Sequence, residues 1–144
     1  MDTPDASLDR DALQDRLRRD FPQSFDGEGA FRIAEAAPMR ARVLLPFHER
    51  YLRPGGTVSG PAMFGLADCA LYIAVLATIG WKPLAATANF TMNFLSRPSP
   101  GDMMAEARLL KVGRKLAVGE VYLRTIGTEA IVAHASGAYA LPSN

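Results

Sequence analysis

With 144 residues, 49% of them hydrophobic, and a formal net charge of +1, the chain is sized for one domain with a proper core. No basic block, aromatic–basic alternation or acidic tail is present, which argues against a nucleic-acid partner. The lone cysteine, Cys69, excludes an intrachain disulfide framework and fits a reducing compartment; with a polar, acidic stretch from Met1 to Asp11, the expected location is the cytoplasm.

Residues 1–7 read as a flexible tail. Ser7 is placed to cap a short helix from Leu8 to Arg19, in which Leu13, Leu17 and Phe21 recur every four residues as a narrow apolar stripe. Pro22 stops that helix, and Asp26-Gly27-Glu28-Gly29 is a turn. Two strands are expected at 29–36 and 39–47, separated by Ala37-Pro38. A loop at 50–57 follows, whose adjacent glycines allow positive φ or close backbone approach.

The stretch Val58–Trp81 dominates the pattern. It is apolar on every face and carries one charge, Asp68. Thr57 and Ser59 can cap it, Pro61 suits a first helical position, and Gly80 ends it. Its length also approaches the ~20 residues of a membrane span, and a partner chain could bury it instead. Frequent Ala and Gly, and the strand pattern that follows, favour a central helix wrapped by a sheet. An acid in such a helix must be hydrogen-bonded, protonated or open to a cleft. It bends or caps a helix, or it is a catalytic carboxylate; lying two turns inside the helix argues against a cap.

Beyond the helix, Ala86, Ala88, Phe90, Met92 and Phe94 alternate with Thr87, Asn89, Thr91 and Asn93, a period of two that marks a strand. Ser96–Gly101 is a turn, and strands are expected at 102–112, 115–126 and 129–140. The hinges at 112–114 and 127–128 have hairpin length, so the sheet is antiparallel. The expected fold is α+β: a curled antiparallel sheet of five to six strands around one long helix, with a short N-terminal helix, in a single domain over 1–144. One helix cannot cover a wide sheet and keep its own far side dry, so a homodimer is the natural way to complete the core.

The order strand–strand–long helix–four strands, with Gly55-Gly56-Thr57-Val58-Ser59-Gly60-Pro61 ahead of Leu66-Ala67-Asp68, resembles the hotdog-fold acyl-CoA thioesterases over residues 29–140. It is most similar to the phenylacetic-acid-degradation (PaaI-like) subgroup, whose motif reads Asn-x-x-Gly-Thr-x-His-Gly-Gly followed by Leu-Ala-Asp. Gly56, Thr57, Gly60, Leu66, Ala67 and Asp68 match it, as do Thr87, Phe94, Leu95 and Pro98 of a later pattern. The family's asparagine, histidine and second glycine fall on Arg53, Ser59 and Pro61. The resemblance implies an acyl-CoA thioesterase working as a homodimer with shared sites, and a homotetramer if dimers pair. It implies coenzyme A as part of the substrate and no further cofactor. Thr87 takes the family position of a hydroxyl residue facing the carboxylate.

Physical chemistry runs beside that resemblance. Thioester hydrolysis passes through an oxyanion, which suits the N–H groups of a helix N-terminus. Pro61 has no N–H, so Gly60 is the leading donor, with Asp68 as general base or as nucleophile forming an anhydride. Gly60 and Asp68 lie about 12 Å apart along one helix at 1.5 Å per residue. One chain therefore cannot bring both to one carbon, and Gly60 of one protomer is expected to work with Asp68 of another.

Arg97, Lys111, Arg114 and Lys115 are candidates for coenzyme A phosphates, with solvated turn charges as the plainer alternative. Arg53, Ser59 and Pro61 are expected near the substrate, and Phe64, Tyr72, Phe90 and Phe94 suggest an apolar pocket for an aryl-acetyl or medium-chain acyl group. Cys69 reads as a small core residue. His48 and His134 are too isolated for a metal site, and none is expected. Two alternatives stay open: an acyl-CoA-binding module without turnover, and a 3-hydroxyacyl thioester dehydratase using His48.

Overall fold

In a computed structural model, residues 8–143 are described; the expected tail at 1–7 and the proposed Ser7 cap lie outside them. The first helix, α1 (Arg10–Asp20), is capped by Asp9, whose side chain accepts from Ala12 N–H at 2.9 Å. Leu13 and Leu17 are buried, but Phe21 ends the helix and stays 40% exposed. Pro22 then opens a second short helix, α2 (Pro22–Phe25), that sequence reading had not separated. Gln14 ties α1 to the sheet: its buried side-chain oxygen accepts from Ile33 N–H at 2.7 Å.

Strands β1 (Arg32–Ala37) and β2 (Arg40–Leu45) form a hairpin ahead of the long helix α3 (Gly60–Ile79). Four strands follow: β3 (Ala86–Phe94), β4 (Met103–Val112), β5 (Leu116–Thr125) and β6 (Ala133–Ala140). All six pair antiparallel in the order β1-β2-β4-β5-β6-β3. The expected curled sheet around one helix is therefore present, with six strands. Strand β3 is not the hairpin neighbour of β4. The segment at 95–102 carries the chain across the fold, and β3 closes the opposite edge beside β6.

The N-terminus of α3 is built as its sequence suggests. Ser59 is the N-cap, its hydroxyl accepting from Ala62 N–H at 3.2 Å, and Pro61 fills the first turn. Gly80 ends the helix at φ +94°, donating to Leu76 O. Leu66, Ala67, Ala70, Leu71, Ile73, Ala74, Val75 and Leu76 are fully buried in the sheet's concave face. A helix this long and apolar would also span a membrane by length alone; here the sheet supplies its surroundings. Gly119 on β5 is a notch for it: a Cβ there would stand 2.7 Å from Leu71 Cδ1 and 2.6 Å from Arg108 O.

The expected uncovered far side of the helix takes a different form. Helix α1 rests on β1 rather than on α3, so a gap opens between α1–α2 and the helix. The more open surface is edge strand β3, most of whose residues are exposed, with Phe94 at 50% and the following Leu95 at 60%.

Candidate active site

Residues Pro61, Phe64, Gly65, Asp68 and Tyr72 recur at three- and four-residue spacing on α3, and none of them is fully buried. They form a less buried stripe of the helix, which meets the sheet only along β3 and β6. Asp68 sits in the middle of that stripe, half-buried.

Two hydroxyls hold Asp68. Tyr139 OH donates to Oδ1 at 2.6 Å and lies 3.0 Å from the Asp68 backbone carbonyl, and Thr87 Oγ1 donates to the same Oδ1 at 2.8 Å. Tyr139 and Thr87 are cross-strand partners on β6 and β3. Burial, and then the neighbouring carboxylate, pushes the Tyr139 phenol far above its ordinary range, so it stays a donor. Among the described residues nothing donates to Oδ2. The intrahelical reading of Asp68 as a cap or bend is thus replaced by a tertiary clamp.

Thr87 reaches Asp68 through an irregularity. Strict alternation puts Thr87 on the face opposite Phe90, Met92 and Phe94. The register slips between Thr87 and Asn89, leaving Ala88 unmatched, and this bulge turns Thr87 inward beside Tyr139.

Asp68 borders a cavity of about 790 Å³ that occupies the gap between α1–α2, α3 and the start of β3. Its walls are largely apolar, with Leu17, Phe21, Phe25, Phe31, Tyr72 and Trp81 prominent. This volume is within the range of small-molecule sites. Burial raises the Tyr72 phenol to about 12, and its hydroxyl donates to Pro83 O at 2.9 Å. Cys69 also borders the cavity, but burial and then Asp68 push its thiol up, which makes it a poor nucleophile.

A second cavity, of about 390 Å³, lies at the N-terminus of α3 and is bordered by Arg53, Gly60, Phe94 and Arg97. In the first turn Pro61 has no N–H, Ala62 donates to Ser59 Oγ, and Met63 donates to Ser59 O. Gly60 N–H has no partner among the described residues, and it faces the end of the helix with the positive dipole. Asp68 and Gly60 therefore belong to different cavities of one chain.

The remaining expected site residues scatter. Ser59 uses its hydroxyl as the helix cap. Phe64 packs edge-on against Phe90 at 5.1 Å, and neither ring borders the two cavities. Tyr72 does line the Asp68 cavity, while Phe94 lines that of Gly60. Lys111, Arg114 and Lys115 sit at the β4–β5 hairpin and border neither. His48 Nδ1 accepts from Arg50 N–H at 3.1 Å, and it too lies away from Asp68's cavity. Sequence reading missed Tyr139, although the alternation Ala133, Ala135, Gly137, Tyr139 marks the inner face of β6. It also missed the aromatic wall from α1–α2, for which no local signal exists.

A family model described as the thioesterase superfamily matches residues 55–131, more than half of the chain. The chain is 46% identical to a candidate thioesterase from a Silicibacter species, known from its crystal structure, with a TM-score of 0.83 over 93% of this chain and 92% of that one. A candidate esterase from Halobacterium salinarum is 31% identical over 99 residues, which are 65% of this chain. The match spans 64% of that curated relative's length. The phenylacetic acid degradation protein PaaI from Thermus thermophilus, solved as a point mutant, shares the fold with a TM-score of 0.67 at 22% identity, over 78% of this chain and 93% of that one.

Proposed function

The chain belongs to the thioesterase superfamily, and on that premise we propose that it hydrolyses an acyl-CoA to the free acid and coenzyme A, with Asp68 at the centre of the reaction. The observation that carries this reading is the clamp: a half-buried carboxylate oriented by Tyr139 and Thr87 at the wall of an apolar cavity.

The acyl group lies in the Asp68 cavity, with its thioester carbonyl carbon near the carboxylate. As general base, Asp68 takes a proton from water while the water oxygen bonds to the carbonyl carbon; the carbon–sulfur bond then breaks and the proton passes to the departing thiolate. As nucleophile, Asp68 bonds to that carbon itself, thiolate leaves, and water cleaves the resulting anhydride. Both routes place negative charge on the carbonyl oxygen. The free N–H of Gly60 at a helix N-terminus suits that charge.

Gly60 and Asp68 lie about 12 Å apart along α3 at 1.5 Å per residue and border separate cavities. The reading therefore requires two protomers, Gly60 of one facing Asp68 of the other. The open edge of β3, with exposed Phe94 and Leu95, suits pairing with a second copy. Arg53 and Arg97 beside Gly60 are then the cations available to coenzyme A phosphates.

Thiol release from a panel of acyl-CoA thioesters tests the proposal. Wild-type turnover that falls about 10²-fold or more in Asp68→Ala is expected, the scale of a lost acid–base group. No turnover by a folded dimer would favour an acyl-CoA-binding module, a reading to which the engaged Ser59 hydroxyl lends some weight. An active monomer would refute the shared site.

A further inference from the structure

The walls of the Asp68 cavity come from two sources. Gly65, Asp68 and Tyr72 come from α3, inside the segment matched by the family model, whereas Leu17, Phe21, Ser24, Phe25 and Phe31 precede it. The preceding residues are held as a unit. Phe21 and Phe25 have ring centroids 5.8 Å apart, and Phe25 meets Phe31 edge-on at 5.9 Å. Leu13, Leu17 and Phe25 anchor the unit in the core, while Gln14 fastens it to β1. Trp81 closes the far end, with the Arg16 guanidinium of α1 4.5 Å over its ring.

The chemistry of the lining narrows what can enter. The ionisable groups that the described residues of this chain give the lining include two carboxylates, Asp20 and Asp68, and no Lys, Arg or His among those residues lines it, the Arg16 guanidinium being taken up against the Trp81 ring. Against this chain's lining an acyl group bearing its own negative charge meets two carboxylates, and a polar one finds few hydrogen bonds. Apolar surface and aromatic rings instead reward contact area.

We propose that α1–α2 is the specificity wall of the acyl pocket, its aromatic cluster selecting an uncharged, bulky acyl group over a short or acidic one. This rests on the thioesterase reading for the identity of the bound group, but the pocket itself can be tested without turnover. Trp81 is the single tryptophan of the chain and lines the cavity, so its emission reports on that wall. The probes are non-hydrolysable S-hexyl, S-ethyl and S-carboxypropyl thioethers of coenzyme A, with coenzyme A itself as the reference.

The hexyl thioether is expected to change Trp81 emission saturably, and to bind at least tenfold more tightly than the ethyl or carboxypropyl compounds. Two variants fill the pocket from opposite walls. Ser24→Phe adds bulk to α2. Gly65→Leu adds bulk to α3, where a Cβ would stand 4.0 Å from Phe31 Cζ and a helix interior favours leucine over glycine. Each should lower the hexyl-to-ethyl affinity ratio at least tenfold. Silent Trp81 emission with a protein that still hydrolyses acyl-CoA, or unchanged ratios in the folded variants, would overturn the wall and leave the activity standing. Selective hexyl binding without turnover would support the wall and sink the hydrolase.

Discussion

Tyr139→Phe is the sharpest single perturbation. It removes one oxygen, keeps the ring and so keeps its stacking on Tyr72, whose centroid lies 5.9 Å away. The lost hydrogen bond to Asp68 Oδ1 is 2.6 Å long and comes from a residue only 4% exposed. A hydrogen bond to a charged group contributes about 1.5–3 kcal/mol. Asp68 borders an open cavity, so water can replace part of that bond and the lower end applies. A loss of about 1.5 kcal/mol in aligning the carboxylate corresponds to roughly tenfold in kcat/KM. Thr87→Val removes the second donor, whose hydroxyl reaches Oδ1 at 2.8 Å. Because both donors act on one atom, the double variant should fall short of the product of the two single losses. Steady-state kinetics of the four proteins, each with a thermal melt, measures both terms. Wild-type kcat/KM in Tyr139→Phe, or losses in the double variant that simply multiply, would refute the clamp.

Gly60→Ala should melt within a few degrees of wild type, since the new Cβ meets Phe94 Cζ at an ordinary 3.6 Å. It should nevertheless lose about 10²-fold in kcat through a blocked oxyanion site. Gly137→Ala should do the reverse in kind, damaging the fold: its Cβ would lie 2.5 Å from Asn89 O and from Phe90 Cδ1. Overpacking of about 1–3 kcal/mol predicts a Tm lower by roughly 3–10 °C, read by calorimetry. Glu120 on β5 is held below its ordinary range, chiefly by its hydrogen bond with His134 at 3.0 Å. A lowered carboxylate pKa stabilises the fold above the unfolded value and loses that contribution as pH falls through the folded one. Glu120→Gln should therefore melt below wild type at neutral pH, by about 1 kcal/mol or less for a pair that solvent still reaches, and converge on it in acid. Melts across that range check the sign.

How far the sequence could be read depends on how local each signal is. Helix α3 was legible to within a residue because its apolar run is bounded by a cap at Ser59 and a positive-φ glycine at Gly80. The alternation from Ala86 to Phe94 announced a strand but misdirected Thr87, because a bulge at Ala88 reverses the face of everything before it. Strand β6 begins at Ala133 rather than 129, since Gly127 at φ +95° and the Thr128 hydroxyl, which donates to Thr125 O, keep that link in a turn. The position of β3 beside β6 was not legible either, because a link of 95–102 reads the same whether it closes a hairpin or crosses the fold. Asp68 and Gly60 stood out, as a charge in an apolar helix and a glycine at its start. Tyr139 lies seventy-one residues from Asp68, and the aromatic wall of α1–α2 reaches Trp81 across fifty or more. Proximity of that kind is created by topology and leaves no mark in local pattern.

The uniform apolarity of α3 has a cost in orientation. A helix with a polar face is held by it like a compass needle, whereas this one could roll about its axis and still bury oil against oil. Its bearing is set by a few keyed points: Leu71 seated in the Gly119 notch, Thr78 Oγ1 accepting from Met39 N–H at 2.8 Å, and Tyr139 gripping Asp68. Rolling by one residue would swing Asp68 about 100° away from its cavity. Aiming the carboxylate and choosing one packing of the core are therefore a single decision. Substitutions at Gly119 or Thr78, far from any substrate, would be felt as misdirection of the acid before they were felt as unfolding.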